Sequence, residues 1–292
     1  MSDNLLPPRK PDWLKVKLPK GTNQARIARY HREHGLNTVC RSAACPNLGE
    51  CWNSGTATFL IMGDSCSRGC RFCNIEHRSL IAPDPAENEK VATAIAELGL
   101  RHAVITSVTR DDLHDGGASI FADLVQNIRQ RCDCRIELLI PDLQGDYTAL
   151  KTILQSSPDI IGHNIETVPR LYPQVRQEAD YQRSLELLAR IKENSTEIRS
   201  KSGLMLGLGE EKEEIIQVIK DLRANRCDIL TLGQYLAPTK EHTAVKRYVH
   251  PDEFEELAVY ARELGFSHVE SGPLVRSSYH AAEQSDMERF DG

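Results

Sequence analysis

Residues 56–74 read TATFLIMGDSCSRGCRFCN, an apolar run followed directly by a loop that contains three cysteines. The apolar part has the length of a buried strand, and the glycines and serines after it indicate a loop. Cys66, Cys70 and Cys73 follow the pattern C-x3-C-x2-C. Three thiolates this close together can hold one corner of a [4Fe–4S] cubane and leave one iron open, because such a cluster has four iron sites. Structural zinc or unpaired core thiols are the alternative interpretations of the residues alone.

Downstream of this stretch, short apolar runs alternate with segments of helical periodicity. This alternation is typical of βα units in a parallel sheet, either open or closed into a partial barrel, whose loops at the C-terminal strand ends form the active face. We predict strands in TATFLIMG, HAVITSV, RIELLIPD, DIIGHNI, SGLMLGLG and DILTLGQYL, and a short strand-like piece, HVESG, near the C-terminus. We predict helices at Asn23–His34, Glu87–Leu98, Ala118–Arg131, Tyr147–Gln155, Tyr181–Glu193, Glu211–Asn225 and Pro251–Leu264.

The composition argues against several classes of protein. The 292 residues contain 36 Lys and Arg against 42 Asp and Glu, and this net charge of −6 argues against a general nucleic-acid binder. No apolar run approaches the ~18 residues that cross a bilayer, and the N-terminus lacks the apolar segment of a secretory signal. Six of the nine cysteines lie between Cys40 and Cys73, and clustered cysteines without an export signal are more often metal ligands than disulfides. We therefore expect a location in the cytoplasm or another reducing compartment, with no membrane or nucleic-acid partner.

A second cysteine group precedes the first strand. Cys40, Cys45 and Cys51 form C-x4-C-x5-C within CRSAACPNLGECW. This spacing fits neither a zinc knuckle nor a redox C-x-x-C motif, and reduced thiols under a loop are the alternative interpretation. Three cysteines would again leave one iron of a cluster without a ligand, so a fourth ligand would have to come from elsewhere in the chain.

The first cysteine group resembles the motif C-x3-C-x-aromatic-C of the radical S-adenosylmethionine superfamily, with an aromatic residue, Phe72, at the matching position. The resemblance implies a partial (β/α)6 barrel and a [4Fe–4S] cluster whose open iron binds S-adenosylmethionine. Transfer of one electron from that cluster then yields a 5′-deoxyadenosyl radical, so no catalytic side chain is required. Glycine-containing segments at Gly116-Gly117 and in 203–210, GLMLGLGE, resemble those that the superfamily places near the cofactor.

The strand end HNIETV contributes polar residues to the same face. His163, Asn164 and Glu166 lie where a cofactor ribose or a substrate can be contacted, and a structural hydrogen-bonding role is the alternative. Arg176 has the charge to meet a cofactor carboxylate or an acidic carrier, although most single arginines are surface residues. The predicted cofactor-binding residues are Phe72, Gly116, Gly117, Asn164, Glu166 and Met205.

The whole chain resembles the lipoyl synthase family. The two cysteine groups in this order, the arm RKPDWLKVKLP, the loop TSVTRDDLHDGGA, the strand HNIETV and the tail SGPLVRSSYHA are all similar to that family. The resemblance implies a second [4Fe–4S] cluster held by the three upstream cysteines and a serine of the R-S-S-Y motif, for which we favour Ser278 over Ser277. Serine is an unusual, hard ligand for iron, which suggests a ligand that can leave.

The resemblance also implies a reaction and its partners. Two sulfur atoms would be inserted at C6 and C8 of an octanoyl chain carried on a lysine of a lipoyl carrier domain, with the second cluster as the sulfur source. The expected partners are octanoylated carrier domains, an electron donor such as ferredoxin or flavodoxin, and an iron–sulfur carrier for cluster repair. The alternatives are another radical sulfur-insertion enzyme, of the biotin synthase or methylthiotransferase kind, and a non-enzymatic metal-binding scaffold.

These observations divide the chain into three segments. Residues 1–54 form an N-terminal arm and the auxiliary-cluster segment, and residues 55–265 form the partial (β/α)6 barrel. Residues 266–292 form a C-terminal segment with the R-S-S-Y motif.

Overall fold

The computed structural model describes residues 9–15, 22–42 and 45–281. Its centre is a sheet of seven parallel strands, in which each strand pairs with the next one along the chain. The first and last strands are the edges, so within the described residues the sheet stays open, as a partial barrel does. The strands are β1 (Thr56–Ile61), β2 (His102–Ser107), β3 (Arg135–Leu139), β4 (Ile160–Gly162), β5 (Arg199–Leu206), β6 (Ile229–Gln234) and β7 (His268–Gly272).

Helices precede the sheet and alternate with its strands. They are α1 (Thr22–Glu33), α2 (Val39–Ser42), α3 (Leu48–Asn53), α4 (Glu87–Leu98), α5 (Ala118–Arg129), α6 (Tyr147–Gln155), α7 (Tyr172–Val175), α8 (Tyr181–Asn194), α9 (Lys212–Ala224) and α10 (Pro251–Glu263). Short 3₁₀ turns occupy Asp12–Leu14, Leu143–Gly145 and Pro169–Leu171.

Local sequence explains where these elements lie. All six residues of β1 and all six of β6 are buried, as expected for parallel strands covered on both faces. Side-chain caps fix several helix starts, since Asp146 accepts from the first turn of α6 and Asp180 from that of α8. Glu211 and Glu214 form a capping box at the start of α9. Such caps are each worth about 1 kcal/mol, and here they set the lengths of the loops that lead into the helices.

The N-terminal segment covers the edge strand β1. Leu60 donates its backbone N–H to the carbonyl of Asn37 (3.1 Å), and the Thr38 hydroxyl donates to the carbonyl of Thr58 (2.6 Å). Trp52 of α3 is only 1% exposed and belongs to the same core as the sheet. These contacts pair edge groups that would otherwise be open, and they hold the upstream cysteine segment against the sheet.

The predicted fold class is confirmed, with one addition. The piece HVESG forms β7, so the sheet has one strand more than the six βα units counted from the sequence, and this strand comes from the C-terminal segment. The division into three segments stays a prediction. Parts of the predicted arm (residues 1–8 and 16–21) and residues 282–292 lie outside the described residues. Among the described helices, none combines the length and the apolar character needed to cross a membrane.

Candidate iron–sulfur and cofactor site

The loop that carries the first cysteine group leaves the C-terminal end of β1 and is fixed by backbone hydrogen bonds to separate parts of the chain. Ser67 donates its N–H to the carbonyl of Thr109 (2.9 Å), and Arg71 donates to that of Val175 (2.9 Å). The Cys66 sulfur accepts the N–H of Thr109 at 3.3 Å. Amide donors of this kind stabilise a thiolate, so the loop is suited to a negatively charged ligand set.

Arg68 anchors the same loop through its side chain. It is 5% exposed and makes a bidentate contact with Asp111 (2.6 and 2.9 Å). A further bond of 2.6 Å reaches the fully buried Asp142, which also accepts from Arg183. Burial alone would raise the pKa of Asp142, but the hydrogen bonds and charge of Arg68 outweigh it and hold that pKa far below its usual range. The network joins the cysteine loop to the loops after β2 and β3.

The Cys70 and Cys73 thiols are protonated when nothing is bound to them. Burial raises the pKa of Cys70 to about 11 and that of Cys73 to about 12, and the neighbouring thiols of the loop add to both shifts. Iron binding therefore has to release protons, which makes cluster assembly dependent on pH. In the described part of the chain, no three Cys, His, Asp or Glu side chains converge on a site for a single metal ion. Cubane ligands are not expected to do so, because each thiolate holds a different iron.

The end of β4 brings Asn164 and Glu166 beside this loop. Glu166 has a φ of +66°, a strained conformation for a residue with a side chain, and such strain is concentrated at functional sites. Its backbone bonds to β5 on both sides, donating to Gly203 and accepting from Met205, each at 2.9 Å. Asn164 Nδ2 donates to Glu166 Oε1 at 3.0 Å. Three of the predicted cofactor residues, Asn164, Glu166 and Met205, are therefore neighbours.

One atom of this group suits a bound cofactor. The Asn164 Oδ1 is buried and accepts no hydrogen bond from any described residue. A buried acceptor without a donor costs about 1–3 kcal/mol, so it is normally retained for a ligand or water. A hydroxyl or ammonium donor, both of which S-adenosylmethionine carries, would satisfy it.

The two glycines after β2 are required by the backbone. Gly116 has a φ of +60° and Gly117 a φ of +88°, where a side chain is strained. A Cβ on Gly117 would lie 2.3 Å from the sulfur of Met62, which follows β1. The turn therefore packs directly behind the cysteine loop, and its second glycine is the N-cap of α5.

The glycine run after β5 is closed by its own acidic residue. Glu210 is 4% exposed, and its carboxylate accepts the backbone N–H groups of Gly207 (2.6 Å), Leu208 (2.9 Å) and Gly209 (3.0 Å). Glu210 thus fixes the shape of this strand end.

The upstream cysteine group is compact. Cys40 lies in α2 and Cys51 in α3, and the N–H of Cys45 donates to the carbonyl of Cys40 at 2.9 Å. Burial raises the pKa of all three thiols, that of Cys51 to about 12, and their mutual charges raise the pKa of Cys45 and Cys51 further. The three thiols are therefore close neighbours. Because their pKa values are raised, they would lose their protons only on binding a metal centre.

The C-terminal tail with the R-S-S-Y motif packs onto this group. The charge of Arg276 opposes the rise in the pKa of Cys45, and the backbone of His280 hydrogen-bonds the sulfur of Cys51. The Tyr279 hydroxyl donates to Glu50 (3.2 Å), the residue before Cys51. The serines 277 and 278 occupy the turn between these contacts and are half-buried.

The C-terminal tail reaches the upstream cysteine group by crossing close to the backbone of β6. A Cβ on Gly233 of β6 would lie 2.2 Å from the carbonyl oxygen of Val275, so only glycine admits the tail across this strand. Asn47, between Cys45 and Cys51, donates its side-chain amide to the carbonyl of Leu274 at 2.6 Å.

Sequence comparison identifies the family. The family model described as the Radical SAM superfamily matches residues 60–222, which is more than half of the chain. The lipoyl synthase of Alkaliphilus metalliredigens is 55% identical over 276 residues, covering 94% of this chain and 95% of the relative. That of Oceanobacillus iheyensis is 54% identical, covering 97% and 91%. The chain belongs to the lipoyl synthase family.

Solved structures support the fold independently. The Streptococcus suis protein SuiB, solved with its precursor peptide SuiA, matches with a TM-score of 0.60 at 13% identity, over 89% of this chain and 54% of that one. Methylornithine synthase matches with a TM-score of 0.56 at 12% identity, over 85% of each chain. At such low identity the likeness concerns the fold alone.

Membership in the radical S-adenosylmethionine superfamily implies a [4Fe–4S] cluster and S-adenosylmethionine.

For this member of the lipoyl synthase family, two residues left open by the sequence have structural partners. His163 is 2% exposed, and its ring nitrogens lie 2.9 Å from the carbonyl of Ile140 and 3.0 Å from the hydroxyl of Ser184. These contacts agree with the structural hydrogen-bonding role that was the alternative interpretation of His163. Arg176 is 8% exposed and is therefore not a surface residue.

Sequence reasoning missed the Arg68–Asp111–Asp142 network. No local signal pointed to it, since Arg71 also lies between two cysteines of this loop and is exposed. Its partners are 43 and 74 positions away, so only the fold identifies them.

Proposed function

We propose that this protein is a lipoyl synthase, which inserts two sulfur atoms at C6 and C8 of a protein-bound octanoyl chain. The observation that carries the proposal is the packing of the R-S-S-Y tail onto the upstream cysteines, in a chain that also has a radical S-adenosylmethionine cysteine loop. A second cluster with a serine ligand needs this juxtaposition. Biotin synthase-like and methylthiotransferase-like sulfur insertion do not account for the upstream group and tail together.

At the first site, Cys66, Cys70 and Cys73 would hold a cluster with one open iron. Phe72, Gly116, Gly117, Asn164, Glu166 and Met205 would bind S-adenosylmethionine. When both are bound, the cluster and S-adenosylmethionine would supply a 5′-deoxyadenosyl radical that abstracts hydrogen from unactivated carbons. The chain itself orients the cofactor through the Asn164 amide and keeps the cysteine loop in place through Arg68.

At the second site, Cys40, Cys45 and Cys51 with Ser278 would hold the cluster that donates sulfur. Arg276 and the backbone of His280 lie beside two of these cysteines and would stabilise their thiolates. The Glu50 carboxylate holds the tail by its contacts with Tyr279 and His280. A serine oxygen matches iron less well than a thiolate, which would let this ligand leave during turnover.

The partners follow from the reaction. A lipoyl synthase acts on an octanoylated carrier domain and needs a one-electron reductant. We propose a ferredoxin or flavodoxin as that reductant, an iron–sulfur carrier that rebuilds the consumed cluster, and a cytoplasmic location. All nine cysteines are free, as a reducing compartment requires.

An anaerobic assay tests the proposal. Reconstituted protein should hold about eight irons and should convert an octanoyl-lysine peptide into a product heavier by two sulfurs, less the hydrogens lost. Cys66→Ala should abolish cleavage of S-adenosylmethionine, whereas Cys45→Ala should keep that cleavage but insert no sulfur. Cys132→Ala, at a half-buried cysteine outside both groups, is the matched control and should behave as wild type. Zinc without sulfide, or a product with other chemistry, would refute the proposal.

A further inference from the structure

Arg176 is a buried cation that forms no ion pair with a carboxylate of any described residue. Its Nη1 donates to the carbonyls of Asn164 (2.9 Å) and Ile165 (3.2 Å) and to the Tyr172 hydroxyl (3.3 Å). Its Nε has no hydrogen-bond partner among the described residues. The guanidinium lies 5.4 Å from the centre of the Tyr172 ring. None of these partners carries a full negative charge.

This environment differs from that of Arg68, another deeply buried arginine of the site. Arg68 has two carboxylate partners, Asp111 and Asp142. A buried charge without a counter-ion is strongly unfavourable, and natural proteins rarely keep one. The nearby acid, Glu166, forms no direct ion pair with Arg176, because its carboxylate accepts from the Asn164 amide instead. The described residues therefore give Arg176 no direct ion pair, and Glu166 acts on its charge only from a distance.

The segment that carries Arg176 is joined to the cysteine loop. The N–H of Arg71 donates to the carbonyl of Val175 at 2.9 Å, which fixes the residue after Cys70 to the residue before Arg176. Consistent with this proximity, burial raises the pKa of Cys70 and the Arg176 charge opposes that rise. Arg176 thus lies close to the Cys70 sulfur.

We propose that Arg176 is the counter-ion of the first cluster and raises its reduction potential. The inference rests on the proposed function, which places that cluster on Cys66, Cys70 and Cys73. A cubane core of charge two plus with three thiolates has a net charge of minus one, and accepting one electron makes it minus two. A fixed cation beside it stabilises the reduced form more than the oxidised form, so the electron arrives at a less negative potential. Arg176 contributes by its charge and position.

Redox titration of the holoenzyme tests this role. The EPR signal of the first cluster is identified as the one that changes on adding S-adenosylmethionine, and its midpoint potential is then measured without the cofactor. Arg176→Gln should disfavour reduction at least tenfold, which is 59 mV for one electron. Arg176→Lys should restore most of the wild-type value because it keeps the charge.

Two controls separate charge from packing. Tyr172→Phe removes a hydrogen bond from Arg176 but keeps its charge, and it should leave the potential unchanged. Arg170→Gln removes an exposed arginine paired with Glu214 and should also leave it unchanged. A wild-type potential in Arg176→Gln, or a shift seen only after S-adenosylmethionine is added, would overturn the inference. The second result would make the cofactor carboxylate the partner of Arg176.

A further variant covers the case in which Arg176→Gln binds no cluster. In the apo protein, Arg176→Met removes a buried charge that has no direct ion pair and should unfold no earlier than apo wild type. Earlier unfolding of apo Arg176→Met would mean that Arg176 acts in packing, and this would reject the counter-ion role. Wild-type protein that assembles no cluster at the first cysteine group would instead refute the proposed function.

Discussion

Replacing Asp142 by Asn should destabilise the protein and loosen the first cysteine loop. The carboxylate is fully buried and accepts from Arg68 (2.6 Å), Arg183 (2.8 Å) and the N–H of Gln144 (3.1 Å). Asparagine keeps the shape but removes the charge and turns one acceptor into a donor. Breaking a buried ion pair costs about 3–5 kcal/mol. The Arg183 side chain is 28% exposed, so solvent screens part of its loss and the lower end of that range applies.

Urea denaturation of the apo protein at pH 7 measures this loss. Asp84→Asn is the matched control, because Asp84 makes a 2.7 Å ion pair with Lys90 on the surface, where such pairs contribute about 0–1 kcal/mol. The Asp142 pKa is lowered by folding, so its contribution is complete above the unfolded value of about 4 and is lost as the pH falls towards the folded value. The difference between Asp142→Asn and wild type should therefore shrink below about pH 4.

The same variant should release iron from the first cluster faster than wild type does, because Arg68 loses one of its two anchors. A loss of stability below about 1 kcal/mol, equal to that of the surface control, would refute the reasoning. So would a difference that persists unchanged at low pH.

Three further changes test other parts of the site. Gly117→Ala should lower the melting temperature and reduce cofactor binding in equilibrium dialysis, because the Cβ of the alanine would meet the Met62 sulfur. An unchanged melting temperature and unchanged binding would contradict the packing described. Glu210→Gln should cost about 2–3 kcal/mol in urea denaturation, since three backbone N–H groups lose a charged acceptor. Glu50→Ala should make the C-terminal tail a site of early cleavage in limited proteolysis, whereas Glu33→Ala on α1 should not; equal cleavage would argue against the tail contacts.

Sequence periodicity predicted most of the fold because parallel strands buried on both faces appear as continuous apolar runs. The strand β7 was harder to identify, since HVESG is short, polar and half-buried and its pairing depends on β6. The predicted and observed helix ends agree closely where a side-chain cap fixes the start of the helix, as Asp146 does for α6.

The cysteine groups could be found from spacing, since three ligands of one cluster lie within a few residues. The residues that support them could not. Asp142 is 74 positions from Arg68, and nothing local distinguishes it from an exposed aspartate at a strand end. Arg176 is buried in the loop after β4, which contacts the cysteine loop through the Val175 carbonyl. The choice between Ser277 and Ser278 depends on side-chain direction within one turn, which sequence does not determine, and Ser278 stays the prediction.

The origin of the inserted sulfur tests the central claim most directly. Clusters are reconstituted with heavy sulfide, free sulfide is removed, and the product of a single turnover on an octanoyl-lysine peptide is weighed. Donation by the protein's own second cluster predicts two heavy sulfurs in each lipoyl group, and no sulfur in the product of Cys45→Ala. Light sulfur in the wild-type product, or normal lipoyl product from Cys45→Ala, would contradict the account.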